Sequence, residues 1–76
     1  MSIKDLAQGV RHLQRDETFL YIMESIKKDK ANIFLSPTSS LEDREAAHHV
    51  VCALSEVENR MATILADEAV YDKKHS

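Results

Sequence analysis

Glu45 and His48 are the first residues in this sequence whose types and spacing could do chemistry. They form an E-x-x-H pattern, and residues three apart on a helix share a face, so a carboxylate and an imidazole could reach one metal ion. The same spacing occurs in ferritin-like di-iron bundles, which also take a glutamate from a facing helix. Glu24 is the candidate for that third ligand, and a ferritin-like metal-binding hairpin is one alternative for the function.

Two observations favour a simpler interpretation, a solvated glutamate beside a surface histidine. Glu45 falls outside the apolar stripe of its helix, whereas such ligands point inward. The expected turn also puts Glu24 opposite Val50, about 7 Å along the helix axis from Glu45. We therefore predict no metal site and no cofactor.

The single cysteine, Cys52, lies four residues after His48 and three after His49. Either histidine could form half of a zinc site with it, but a closed structural site needs four ligands. A thiol in mid-helix near the buried side also lacks the cation or helix N-terminus that would activate it. We expect Cys52 to be a small packed side chain and not a nucleophile.

Motifs that mark common enzyme classes are absent from the sequence. There is no glycine-rich phosphate loop, no G-x-S-x-G and no H-E-x-x-H. A chain of 76 residues forms one domain that buries only about 60% of its unfolded surface, which disfavours a deep substrate cleft. The sequence predicts a non-enzymatic protein that is stabilised by partners or by self-association.

Composition excludes several other classes. The chain is 43% hydrophobic and 30% charged with a net charge of -3, which predicts a folded protein without the basic excess of a dedicated nucleic-acid binder. No stretch approaches the roughly 18 apolar residues of a membrane span, and no signal peptide is recognisable. We expect an intracellular protein that is not secreted and has no membrane partner.

One glycine and one proline leave almost no strand or hairpin signals, so the predicted fold is all-α. Ser2 is the predicted N-cap of a short first helix, and a second helix is predicted from about Glu17 to Phe34. After the loop around Pro37, Ser39 and Glu42 have the spacing of a capping box.

The third helix carries the clearest pattern in the chain. It is predicted to begin near Leu41 and to end near Asp67, within a single helical domain of residues 1–70 that is followed by a polar tail of residues 71–76. Its apolar residues alternate steps of three and four, which is typical of a helix that packs along one seam. The predicted interface between copies consists of Val50, Leu54, Val57, Met61 and Ile64.

The third helix is predicted to span about 40 Å and the second about 27 Å, so an antiparallel hairpin leaves part of the third helix uncovered. The first helix or a second copy of the chain could cover this overhang, and the sequence does not choose between them. The predicted architecture is therefore an antiparallel helical hairpin with a short N-terminal helix, a two- to three-helix unit that forms a homo-oligomer.

Charge is distributed unevenly along the chain. Residues up to 38 carry six basic against five acidic side chains, and the remainder carries four against eight. The acidic third helix could bind a basic groove on a host protein, so a host-directed inhibitor or adaptor is the second alternative for the function. Basic side chains on the first two helices are either solvated or contact nucleic acid. These candidates are Arg11, Arg15, Lys27, Lys28 and Lys30.

The order of these elements resembles that of small helical proteins encoded in the morphogenesis regions of tailed phages. Residues 18–25, Thr-Phe-Leu-Tyr-Ile-Met-Glu-Ser, are similar to the start of the first helix in the small terminase subunits of short-tailed phages. Those subunits form rings that present viral DNA to the packaging motor. The resemblance implies a role in virion assembly or DNA packaging, a location in the host cytoplasm or the virion, and another phage or host protein as partner. It covers eight of 76 residues, and the helix-turn-helix with its tight glycine turn is missing.

Overall fold

The computed structural model describes all of residues 1–76 and contains three α-helices and no β-strand. Helix α1 comprises Ile3–Arg15, α2 comprises Glu17–Leu35 and α3 comprises Leu41–His75. The all-α prediction and the predicted starts of α2 and α3 are confirmed. The molecule is an elongated hairpin of 57 × 22 × 18 Å in which α1 and α2 together run antiparallel to α3.

Asp16 ends α1 and begins α2. Its backbone N–H donates to the Leu13 carbonyl at 3.2 Å, while its carboxylate accepts from the Phe19 backbone N–H at 2.8 Å. Because one extended residue satisfies both helix ends, the two helices follow each other directly along the same side of α3.

Helix α1 covers the part of α3 that α2 does not reach. The two helices contain 13 and 19 residues, about 20 Å and 29 Å, against the 35 residues or about 53 Å of α3. Lys4 pairs with Asp72, and Arg11 pairs with Glu68. Within one chain, the overhang that the sequence left open is therefore covered by the first helix.

Helix α3 is longer than the sequence pattern indicates. It continues to His75, so the residues predicted as a polar tail, 71–76, are helical except for Ser76. Asp72 lies in this segment and pairs with Lys4 of α1. The helix therefore extends past the end of its apolar stripe, where it is held by contacts with charged residues of α1.

The predicted capping box is shifted by one residue. Ser40 is the N-cap of α3, and its hydroxyl accepts from the Asp43 backbone N–H at 3.0 Å. The Asp43 carboxylate accepts in return from the Ser40 backbone N–H at 3.2 Å. The sequence offers two overlapping boxes, and the one that forms uses Ser40 and Asp43 in place of Ser39 and Glu42 because Leu41 is the first helical residue.

The core of the hairpin is sparse. Its buried hydrophobic residues are Ala7, Val10, Met23 and Ala47, and no large side chain is completely enclosed. Glu68 is the one buried charged residue. The interior is therefore a single seam between two rows of helix, as expected for a structure with only one helix on each side.

Candidate interaction surfaces

The structure does not bring together the candidate metal ligands Glu24, Glu45 and His48. Glu24 lines the same groove as Glu58, which is thirteen residues, or about 20 Å, further along α3 than Glu45. The level predicted for Glu24, opposite Val50, is therefore wrong. Nowhere in the chain do three or more His, Cys, Asp or Glu side chains form a group that could hold a metal ion.

Cys52 is exposed on α3, whereas the sequence placed it near the buried side. The half-buried residue is its neighbour Val51, and one helical step of about 100° turns the next side chain outward. The Cys52 sulfur lies 3.5 Å from His48 Nε2, one turn earlier. No third candidate ligand joins these two exposed side chains.

A groove of about 210 Å³ lies where the three helices meet. Lys27 crosses its mouth, with Nζ 2.8 Å from a Glu58 oxygen and 3.6 Å from a Glu24 oxygen. The hydrogen bond to Glu58 is the main cause that raises the pKa of Lys27 above the ordinary value of 10.5. An ion pair therefore occupies the mouth of this groove. Its lining is Gln14, Phe19, Leu20, Met23, Glu24, Lys27, Glu58 and Met61.

Glu68 fixes α1 to α3. Its side chain is only 8% exposed, and it accepts from the Arg11 guanidinium with Lys4 Nζ at 3.6 Å. Lys4 also pairs with Asp72, and the hydrogen bond between them is the main cause that raises the pKa of this lysine above 10.5. Two cations thus compensate one buried carboxylate.

The sequence analysis missed this cluster around Glu68. The available signal was the spacing of its members, because Lys4 and Arg11 are seven residues apart and Glu68 and Asp72 are four apart. Each pair therefore lies on one face of its helix. Only the docking of α1 on α3 shows that the two faces meet.

Two of the five candidate nucleic-acid contacts are used inside the chain. Arg11 pairs with Glu68, and Lys27 pairs with Glu58. The other three, Arg15, Lys28 and Lys30, form no ion pair; the first two are exposed and Lys30 is half-buried. The basic charge that is free to meet a partner is therefore small and lies on two different helices.

The stripe predicted as the interface between copies forms much of the seam inside one chain. Val50, Leu54, Met61 and Ile64 are half-buried, and Val57 is 44% exposed. A contact between two copies stays a prediction. In the structure it could use only the outer edge of the stripe, where Val57 and Ile64 lie.

Apolar side chains follow one long side of the hairpin. Because the two arms are antiparallel, the residue one step before a buried position points to the same side of the hairpin on both arms. On the first arm, Leu6 precedes the buried Ala7 and Ile22 precedes the buried Met23. On α3, Val57 and Ile64 lie three residues after the half-buried Leu54 and Met61, which turns them about 60° in the same direction. We call this surface the apolar side face and define it as Leu6, Leu13, Ile22, Ile26, Val57 and Ile64.

The ion pairs between helices lie on the other side. On α1, about 160° of rotation separates Leu6 and Leu13 from Lys4 and Arg11. On α2, about 140° separates Ile22 from Lys27. These basic residues make every ion pair that joins two helices. On one side of the hairpin, ion pairs therefore join the two arms, and on the apolar side face no ion pair does.

The two remaining depressions of the surface are furrows and not pockets. One is lined by residues of α2 alone, from Tyr21 to Ala31, and the other lies between Ile3 and the last turns of α3. Both furrows are open to solvent over most of their surface.

None of the three helices has both the length and the apolarity needed to cross a membrane. When the chain is compared with models of known protein families, with curated proteins and with solved structures, no match is found.

Proposed function

We propose that this protein is a non-enzymatic helical component that works by self-association and by contacts with other proteins. The observation that carries the proposal is the amount of surface the chain leaves in water. Its accessible surface is 5932 Å². A compact monomer of 8.6 kDa is expected to expose about 4,700 Å², so the excess is about 1,200 Å².

This excess has the size of a protein–protein interface. A standard complex removes about 800 Å² of surface from each partner. The radius of gyration agrees with this interpretation, because it is 16.6 Å where a compact chain of this length is expected to have about 11 Å. A chain with so little buried apolar surface gains stability when a partner covers part of the remainder.

The biological setting we propose is virion assembly or DNA packaging in a tailed phage. This part of the proposal is supported by the resemblance of residues 18–25, which form most of the first two turns of α2, to the small terminase subunits of short-tailed phages. A thin hairpin about 50 Å long suits an assembly of copies side by side. In such an assembly Arg15 and Lys28 are the exposed, unpaired cations of the five candidates for contacting DNA.

Light scattering coupled to size exclusion, at two protein concentrations and two salt concentrations, tests this function. We expect a mass that is a multiple of 8.6 kDa and that is retained on dilution. A strict monomer under all four conditions would contradict self-association.

A second function is favoured by the outward face of α3. Its four acidic residues lie within about 60° of one another around the helix axis, and all are exposed. An inhibitor or adaptor that occupies a basic groove of a host protein could use such a face. The four residues are Glu42, Glu45, Glu56 and Asp67.

Capture of a host protein from a lysate at low salt tests this second function. We expect Glu42→Lys combined with Glu45→Lys to abolish capture, because the face would lose its negative charge. Glu24→Lys on α2 is the matched control. Equal capture by both variants would exclude the acidic face as the binding site.

A further inference from the structure

We infer that a second copy of this chain docks on the apolar side face, so that two hairpins form a four-helix bundle. The inference rests on the proposed self-association and names the surface and the partner that it uses. Four observations carry it: the width of the apolar stripes, their spacing, the position of the charges, and the area of surface left in water.

The apolar stripes are wider than a two-helix contact requires. On α1, the buried Ala7 and Val10 form the contact with α3, yet Leu6 and Leu13 lie beside them with 37% and 42% of their surface exposed. A helix that packs against one neighbour needs a narrow stripe, whereas a helix in a four-helix bundle needs a wider one because it packs against two. The stripe of α1 has the greater width, which is the one expected in a four-helix bundle.

The other helices repeat this pattern. On α2, Ile22 is 48% exposed beside the buried Met23. On α3, Val57 is 44% exposed and lies one turn from the half-buried Met61. Each of the three helices therefore places large aliphatic side chains at the edge of the seam, on the same side of the hairpin.

The spacing along the arms suits side-by-side packing. Leu6 and Leu13 are seven residues apart on one arm, and Val57 and Ile64 are seven apart on the other. A seven-residue repeat keeps a row of side chains in line along the helix, which is the geometry of four-helix bundles. The apolar side face can therefore meet a partner of equal length along most of the hairpin.

The position of the charges favours a second copy of the same chain. Two chains of net charge -3 repel each other if their acidic surfaces meet. Glu45 and Glu56 lie about 100° or more around α3 from Val57, so they point away from the apolar side face, while Asp29 and Asp67 lie at its margins. A twofold contact through the apolar side face therefore keeps most of the acidic face of α3 outside the contact.

The surface that the whole chain leaves in water is also large enough for such a contact. It exceeds that of a compact monomer by about 1,200 Å², and each partner contributes roughly 800 Å² to a standard interface.

Sedimentation over a concentration series of the full chain tests the inference with Ile22→Glu and Val57→Glu. Both positions tolerate a charge in a single hairpin because each is nearly half exposed. We expect the wild type to be a dimer of twice 8.6 kDa, equally in about 0.05 M and 0.5 M salt because the interface is apolar. Each variant should raise the dissociation constant at least about 100-fold, because it desolvates two charges at the interface.

Tyr21→Glu is the matched control, since it places the same charge on the neighbouring position of α2 but on the outward face. It should leave the dimer intact. A wild-type oligomer that Tyr21→Glu dissociates and Ile22→Glu does not would overturn the assigned surface while leaving self-association in place. A wild-type monomer at every concentration would overturn the proposed function as well.

Isotope-filtered NOE spectra of mixed labelled and unlabelled wild-type chains test the same surface without any substitution. We expect contacts between copies at the methyl groups of Ile22, Val57 and Ile64. Contacts that arise only from Tyr21 and Leu35 would contradict the inference. This measurement decides the case if either glutamate variant loses its helical circular dichroism.

Discussion

The two ends of the hairpin are held by different kinds of interaction. At the end that contains the chain termini, α1 lies on α3 through the buried Val10 and through the ion pair of Arg11 with Glu68, which is 57 residues away in the sequence. At the turn end, residues 36–40 connect α2 to α3, and hydrogen bonds join residues no more than eight apart, such as Ser40 and Asp43.

The turn end therefore depends on contacts between residues close in the sequence, whereas the terminal end depends on the docking of α1 on α3. The turn is specified by neighbouring residues. Helix α1 has 13 residues, which is near the lower limit at which an isolated helix is stable in water. We therefore expect the terminal end to be lost first when the molecule is destabilised and the turn end to persist.

A charge at Val10 should have the largest effect, because it attacks the docking of α1 directly. Val10 is 5% exposed and lies on the side of α1 that packs against α3. A carboxylate in its place would lose its hydration without gaining a partner. We expect Val10→Asp to cost about 3 kcal/mol or more and to remove the helical signal of α1. Circular dichroism with amide hydrogen exchange of residues 3–15 measures both effects.

The matched control for Val10→Asp is Gln8→Asp, which places the same side chain on the exposed face of the same helix. It should leave the melting temperature and the exchange rates of α1 close to those of the wild type. If both variants behave alike, the terminal end does not depend on docking and the comparison of the two ends fails.

Removal of the buried carboxylate is the next largest effect. Loss of one partner from a fully buried ion pair costs about 3–5 kcal/mol, but Lys4 and Arg11 are each more than a third exposed and can return to water. We therefore expect Glu68→Ala to cost about 1–2 kcal/mol and Asp72→Ala, whose side chain is 51% exposed, less than about 0.5 kcal/mol. Urea denaturation at one protein concentration measures both, and equal costs would contradict the anchoring role of Glu68.

A smaller effect at the turn end comes from the capping box. Ser40→Ala removes the hydroxyl that accepts from the Asp43 backbone N–H and should cost about 1 kcal/mol. Ser39→Ala should cost almost nothing, because no hydrogen bond from its side chain contributes to the cap. Thermal unfolding of the two variants compares these costs directly. A larger loss of melting temperature for Ser39→Ala than for Ser40→Ala would mean that the capping box is formed by Ser39 and Glu42.

The features that the sequence predicted are those decided by near neighbours. Asp16 begins α2 because its own carboxylate accepts from a backbone N–H three residues later, and the loop around Pro37 ends that helix. The start of α3 at Leu41 follows from the adjacent serines in the same way. The one local error, a shift of one residue in the capping box, arose because two boxes overlap.

The features that the sequence did not predict depend on how the arms slide and rotate against each other. The level of Glu24, beside Glu58 and Met61, depends on how far α2 slides along α3, which the turn does not determine. Residues 71–75 are helical where Asp72 pairs with Lys4 of α1, a contact that the pattern of α3 alone does not contain.

The exposure of Cys52 is a different kind of error. Cys52 lies two residues from both Val50 and Leu54, about 160° around the helix from each. The stripe itself therefore turns this side chain outward, and the prediction that placed it near the buried side was wrong.

The smallest expected effect is the response to alkaline pH, and it acts on both ends. Hydrogen bonds to Asp72 and to Glu58 raise the pKa of Lys4 and of Lys27 above 10.5. A lysine whose pKa is higher in the folded chain contributes stability that is fully present below 10.5 and is lost as the pH rises through the folded value. The wild type should therefore lose melting temperature as the pH rises above 10.5.

Lys4→Met and Lys27→Met assign this loss to the two regions that the lysines join. Each variant should lose less melting temperature over that pH range than the wild type, because the interaction that titrates is already absent. Lys28→Met, which removes an exposed lysine without an ion pair, should lose as much as the wild type.

Amide exchange of residues 3–15 should accelerate with pH beyond its intrinsic rate in the wild type and in Lys27→Met. Lys4→Met should show no such extra acceleration, because Lys4 alone joins α1 to Asp72. An alkaline response of α1 that persists in Lys4→Met would mean that this end is held by its apolar contacts and by Arg11, with no measurable contribution from Lys4.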